Sequence, residues 1–73
     1  MNIGKAMKDI REESARPRSD VAKALGITPG ALWKIENSKT LPKPATISKF
    51  CKEMKVEVAR LFCTAFETKD YTI

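Results

Sequence analysis

An all-α fold, compact and built of five short helices, is what this sequence predicts. Three observations carry it. Apolar residues recur at three- and four-residue spacing along most of the chain, and alternating strand-like runs are scarce. Proline and glycine interrupt that periodicity about once per helix length, at Pro17, Gly26, Pro29 and Pro44. The 73 residues suit one domain, and a domain this small folds best with short connections or with support from a partner chain.

The first helix is expected from Ile3 to Ser14, with Ile3, Met7 and Ile10 on its apolar stripe. It should end at Ala15-Arg16-Pro17, because proline disfavours the helical conformation in the residue before it. A short second helix follows, Arg18 to Leu25, with Pro17 suited to its first position. Val21, Ala22 and Leu25 face inward, and Gly26 closes the helix at a positive φ. The third helix has the clearest start. Thr28 caps it, Pro29 fits the first helical position, and Ile27 can staple onto Leu32. Leu32 and Ile35 point to the core, and the helix ends near Asn37-Ser38.

An extended link, Lys39 to Lys43, leads to Pro44, which opens a fourth helix to about Lys55. Its inner face is Ile47, Phe50, Cys51 and Met54. A fifth helix, Glu57 to Glu67, carries the stripe Val58, Leu61, Phe62, Ala65 and Phe66. Val58 and Leu61 suffice to cover the bundle. Residues 1–67 thus read as one domain and 68–73 as a C-terminal tail.

Composition narrows the function. Fourteen Lys and Arg stand against nine Asp and Glu, a net +5. Such a balance suits an anionic partner, nucleic acid before a membrane surface. It also suits plain solubility. There is no histidine, which removes the commonest general base and the commonest zinc ligand. No phosphate-cradling loop or paired-thiolate site is present, so neither an enzyme nor a cofactor is expected. Two cysteines do not make a disulfide framework. Cys51 and Cys63 both fall in apolar runs and read as reduced core residues of a cytoplasmic protein. The first residues lack the apolar run of a signal peptide, and no stretch approaches a membrane span.

The informative pair is helices two and three. The run Val21-Ala22-Lys23-Ala24-Leu25-Gly26-Ile27-Thr28 joins two short helices through a tight glycine turn, with Ala22 small enough for a close crossing. That is the helix-turn-helix pattern, whose second helix is presented to DNA. From Ile3-Gly4 and Arg11, through "VAKALGIT", "ALWKIENSK" and Pro42, to "ISKFCKEMKV" and "VARLF", the chain resembles the phage repressor and Cro-type helix-turn-helix family. The resemblance implies a lambda-repressor-like domain, a homodimer and a two-fold symmetric operator in double-stranded DNA. It also implies that Arg11 and Glu36 pair, which suits a guanidinium able to grip a carboxylate through two parallel hydrogen bonds. The chain departs from the family in four places. Arg18 stands where Gln is common, and Ser38 and Lys55 stand where Gly is common. Pro29-Gly30-Ala31 replaces polar base readers.

The candidate DNA contacts are Arg18, Thr28, Pro29, Gly30, Trp33, Lys34, Asn37, Lys39 and Lys43. From Thr28 to Lys55 six lysines face two glutamates, so this stretch carries +4 of the net +5. Phosphate contacts belong there. Trp33 falls outside the core stripe, where its face can pack on a thymine methyl or a sugar and its indole nitrogen can donate. Phe62, Phe66, Tyr71 and Ile73 exceed the needs of a small core and are candidates for a symmetric dimer contact. An antitoxin or a restriction–modification controller would use the same domain. A protein-interaction module would use Trp33 and helix five as hot spots instead.

Overall fold

The computed structural model describes residues 2–67. It contains α1 (Ile3–Glu13), α2 (Arg18–Leu25), α3 (Pro29–Glu36), α4 (Pro44–Met54) and α5 (Val58–Glu67), with no strand among the described residues. None of these helices is long and apolar enough to cross a membrane. α1 packs on α3 and α5, and α2 on α3 and α4. Every helix contributes to one core. Ala6, Met7 and Ile10 meet Val21, Ala22, Leu25, Leu32, Ile35, Phe50, Cys51, Leu61 and Ala65.

Local chemistry explains the boundaries. The Asn2 side chain caps α1 by accepting from the Lys5 amide at 2.9 Å. Thr28 caps α3 by accepting from the Ala31 amide at 3.1 Å. Ile27, just before that cap, packs on the core that holds Leu32, as a hydrophobic staple does. Pro17 is the residue before α2 rather than its first helical residue. Its ψ of 150° is extended, and its carbonyl accepts from Val21 at 3.3 Å.

Four helices end alike. After α2, Gly26 turns left-handed at φ 74°, and the amides of Gly26 and Ile27 bond back to Lys23 and Ala22. This is the Schellman motif, which satisfies carbonyls left over at a helix end. After α1, α3 and α4 the same paired bonds form, with Ala15, Ser38 and Lys55 in the left-handed position at φ 55°, 61° and 56°. The turn after α1 therefore begins in Ala15 itself and not only in the restriction that Pro17 places on Arg16.

Two expectations for α5 and the cysteines need correction. Val58 is 46% exposed, and Ala65 joins Leu61 in the core instead. Cys51 is buried, but Cys63 is exposed. Cys63 has apolar neighbours in sequence, yet the helical turn carries it off the stripe formed by Leu61 and Ala65. Burial pushes the Cys51 thiol above its ordinary range.

Gly4 has a steric reason to be glycine. A Cβ built there would lie 1.9 Å from the Ile35 carbonyl oxygen, so α1 can approach the end of α3 only without a side chain. Gly4→Ala should therefore lower the melting temperature sharply. Ala15→Gly and Lys55→Gly should each add about 0.5–1 kcal/mol by relieving a left-handed Cβ. Denaturant titration of the three variants checks both signs. A Gly4→Ala protein as stable as the parent would show that the α1–α3 contact is loose.

Candidate nucleic-acid interface

One carboxylate holds α3 from beneath. Glu36, at the end of α3, has a fully buried side chain. Arg11 from α1 grips it with Nε at 2.7 Å and Nη2 at 3.2 Å. Arg18, the first residue of α2, adds its Nε at 2.9 Å. Arg11 uses its remaining Nη1 on the Arg16 carbonyl at 3.0 Å, which fixes the turn between α1 and α2. The pairing of Arg11 with Glu36 is thus present, and the carboxylate is shared by a second guanidinium that sequence reasoning placed on DNA.

Next to that node on the helix surface lies an exposed face. Thr28, Pro29, Gly30, Lys34 and Asn37 are exposed, and Trp33 is 44% exposed. Pro29 and Trp33 are four residues apart, as are Gly30 and Lys34, and Trp33 and Asn37, so they form adjacent ridges. The Asn37 side-chain amide folds back and donates to the Trp33 carbonyl at 2.9 Å. Its side-chain oxygen faces no donor among the contacts of the described residues.

Beside this face runs a groove of about 590 Å³ between α3, the link and the start of α4, whose walls include Lys34, Lys43 and Lys49. Lys39 lies on the link, its backbone amide tied to the Lys34 carbonyl at 2.8 Å. The structure therefore gathers Lys34, Lys43 and Lys49 on one groove and places the Lys39 backbone beside Lys34. Sequence reasoning counted Lys49 in the basic stretch but not in the site. No signal along the chain marked it for the groove, which Thr46, three residues earlier, also lines. Arg18 stands apart from this set at the Glu36 node, with its side chain one-third exposed.

Arginines and lysines divide the work. Each of the four arginines, Arg11, Arg16, Arg18 and Arg60, holds a carboxylate. Among the described residues none of Lys34, Lys39, Lys43 and Lys49 has an ion-pair partner. On the candidate dimer surface, Phe62 is half-buried and Phe66 is 61% exposed. Tyr71 and Ile73 lie outside the described residues.

A glycine turn between two short helices, with the second helix exposed beside unpaired lysines, defines a helix-turn-helix DNA-binding domain. A helix-turn-helix family model matches residues 7–61. The chain belongs to the Cro/C1-type helix-turn-helix family of DNA-binding transcription regulators. Comparison with curated proteins finds no match. Two solved structures share the fold, both of the clp gene regulator ClgR from Corynebacterium glutamicum. One has 18% identity and a TM-score of 0.89, covering 97% of this chain and 92% of that one. The other has 20% identity and a TM-score of 0.87, covering 90% of this chain and 70% of that one.

The Glu36 node makes a clear expectation. Glu36→Ala leaves Arg11 buried without its partner and should cost about 3–5 kcal/mol, close to the whole stability of a domain this small. Arg18→Ala should cost about 1 kcal/mol or less, because Arg18 is partly solvated and Glu36 keeps Arg11. Thermal melts in which the two variants behave alike would place the weight of the node elsewhere.

Proposed function

We propose that the chain is a transcriptional repressor that binds a two-fold symmetric operator as a homodimer, with α3 in the major groove. The observation that carries this reading is a set of lysines without an ion-pair partner among the described residues, Lys34, Lys39, Lys43 and Lys49, on or beside the exposed face of α3. Unpaired surface lysines in one patch gain by displacing the counterions of a phosphate backbone. Lys39 and Lys43 take phosphates along the link. Arg18 reaches a further phosphate with its terminal nitrogens while its Nε remains on Glu36. Thr28, Pro29, Gly30, Trp33, Lys34 and Asn37 face the base edges. A domain lying on promoter DNA occludes it, which is sufficient for repression.

Dimerisation is supported by α5. Val58, Phe62 and Phe66 follow one another at four-residue spacing on its outer side. A two-fold contact through one helix is self-complementary and doubles the half-sites engaged. One module alone has few contacts, and a second, linked by the dimer, raises the effective affinity by orders of magnitude. Tyr71 and Ile73 would extend this surface.

Selection from a random duplex pool should return a two-fold symmetric consensus. Lys39→Ala and Lys43→Ala should each weaken all sequences alike and reduce the salt slope by about one unit. Phe62→Ser should shift sedimentation toward the monomer. A pool without sequence preference, together with an unchanged salt slope, would refute the operator reading.

A further inference from the structure

Among the described residues, Trp33, Leu41, Val58 and Phe66 are the exposed large apolar side chains. The operator reading uses Trp33, and the dimer surface uses Val58 and Phe66. Leu41, in the link, is left over, and at 89% it is the most exposed of them. A lone exposed leucine needs no explanation, but a contiguous apolar patch marks a contact. Leu41 belongs to such a patch. A second groove, of about 390 Å³, runs between the start of α1, the link and the start of α4. Ile3, Leu41, Pro42 and Ile47 give it apolar walls. Ile3, Pro42 and Ile47 are only partly buried, so each shows part of its side chain to the groove. Polar groups at its base are turned on one another. The Asn2 side-chain oxygen accepts from the Lys5 amide at 2.9 Å and from the Ser38 hydroxyl at 3.1 Å. The groove therefore suits apolar side chains better than a polar ligand.

The direction of α5 supplies an occupant. α5 begins beside the end of α1, where Arg60 pairs with Glu13 at 3.2 Å. It packs on α1, and its Leu61 and Ala65 share a core cluster with Ala6, Met7 and Ile10. It therefore runs back along α1 toward Ile3. Residues 55–57 join it to the end of α4, on which it also packs, so it returns toward the start of α4 as well. Both directions lead the end of α5 toward the groove. Next in the chain come Thr68, Lys69 and Asp70, then Tyr71-Thr72-Ile73, all outside the described residues. Three extended residues span about 10 Å, a reach that suits the distance to a groove at the same end of the domain. Tyr71 and Ile73 stand two residues apart, so an extended chain puts both on one face.

We propose that Tyr71 and Ile73 dock in the groove of their own chain, against Ile3, Leu41, Pro42 and Ile47. A segment tethered beside its site is present there at high effective concentration, so a small apolar contact suffices to hold it. Seated in the groove, the tail lies flush with the end of α5, and in this way it extends the α5 surface. It also supports the link from behind. Thr40 and Leu41 line this groove and the lysine groove alike, so the link is the wall between them. A wall held on one side presents Lys39 and Lys43 on the other with less freedom left to lose. That consequence rests on the DNA-binding reading above, and the docking itself does not.

The test is NMR on the full chain, labelled at isoleucine and leucine methyl groups. Nuclear Overhauser contacts should join the Tyr71 ring to methyls of Ile3, Leu41 or Ile47. Tyr71→Ser should shift those methyl resonances and leave Ile10 and Leu25, in the core, where they were. The contacts should persist in Phe62→Ser, the variant expected to be monomeric, because they form within one chain. A mixture of labelled and unlabelled chains makes the same distinction without a substitution. The amides of Lys39 and Thr40 both bond the Lys34 carbonyl. With Tyr71→Ser and Ile73→Ser combined, they should exchange several-fold faster as the link loosens. The same protein should bind every duplex more weakly at an unchanged salt slope, since no phosphate contact is removed. Tyr71 contacts confined to Val58, Phe62 or Phe66 overturn the proposal and assign the tail to the dimer contact. Groove contacts found only between chains overturn it as well, since the occupant is then the partner's tail. So do methyl resonances that Tyr71→Ser leaves unmoved. Docking within one chain, in a protein that binds no duplex, would refute the DNA-binding reading and leave this one standing.

Discussion

Three helices converge on the carboxylate of Glu36, and the placement of α3 follows from that meeting. A carboxylate with no solvent exposure must be compensated by its neighbours. It receives three charge-assisted bonds, two from Arg11 on α1 and one from Arg18 on α2. α3 is only eight residues long and buries two apolar side chains, Leu32 and Ile35. Packing alone would leave its axis loosely determined. The node fixes the end of the helix, and a second contact fixes its other flank. There Gly4 lies against the Ile35 carbonyl, and the Ser38 hydroxyl donates to the Asn2 side-chain oxygen at 3.1 Å. The inner side of α3 is thereby held by polar contacts as well as apolar ones, and its outer side is left available.

Much of this was legible in the residues. The number and order of the helices follow from apolar spacing and from the prolines and glycines between them. The start of α3 follows from Thr28-Pro29 alone, because a capping hydroxyl and a residue without a donor are both local requirements. The Arg11–Glu36 pair was reached through the family resemblance, not through spacing, since 25 residues of chain separate the two. What escaped was set by three-dimensional neighbours. Arg18 looks like any basic residue at a helix start, and nothing in its surroundings in sequence announces Glu36. Cys63 sits among apolar residues but on the wrong side of the turn. Val58 begins α5 on the expected stripe, yet the core closes over Leu61 and Ala65 without it. Lys49 joins the site only because the start of α4 packs beside the link.

The division between arginine and lysine suits the chemistry of each. A guanidinium carries a rigid fork of donors and can hold a carboxylate in a defined geometry. Arg11, Arg16 and Arg60 use it to join elements far apart in sequence, linking α1 to α3, the α1–α2 turn to α4, and α5 to α1. An ammonium on a flexible stem is a poorer clamp and a good mobile charge. The lysines around α3 keep that mobility. They suit a backbone of regularly spaced phosphates, where charge matters more than angle.

Glycine is distributed in this chain against the interest of helix stability. Three helix ends place a residue with a Cβ in the left-handed conformation, although glycine would relieve it. The one helical glycine on an exposed face, Gly30 in the first turn of α3, fills no steric need of the fold. At Ser38 the compensation is visible, since its hydroxyl bonds Asn2 and so ties the end of α3 to the start of α1. Lys55 keeps a charge that glycine would remove, while nothing in the structure explains Ala15. Natural domains are held just above the stability they need, not at its maximum. In that light the helix ends can carry residues chosen for what they touch. Gly4 and Gly26 are then two answers to two constraints, a neighbouring backbone and a dihedral angle.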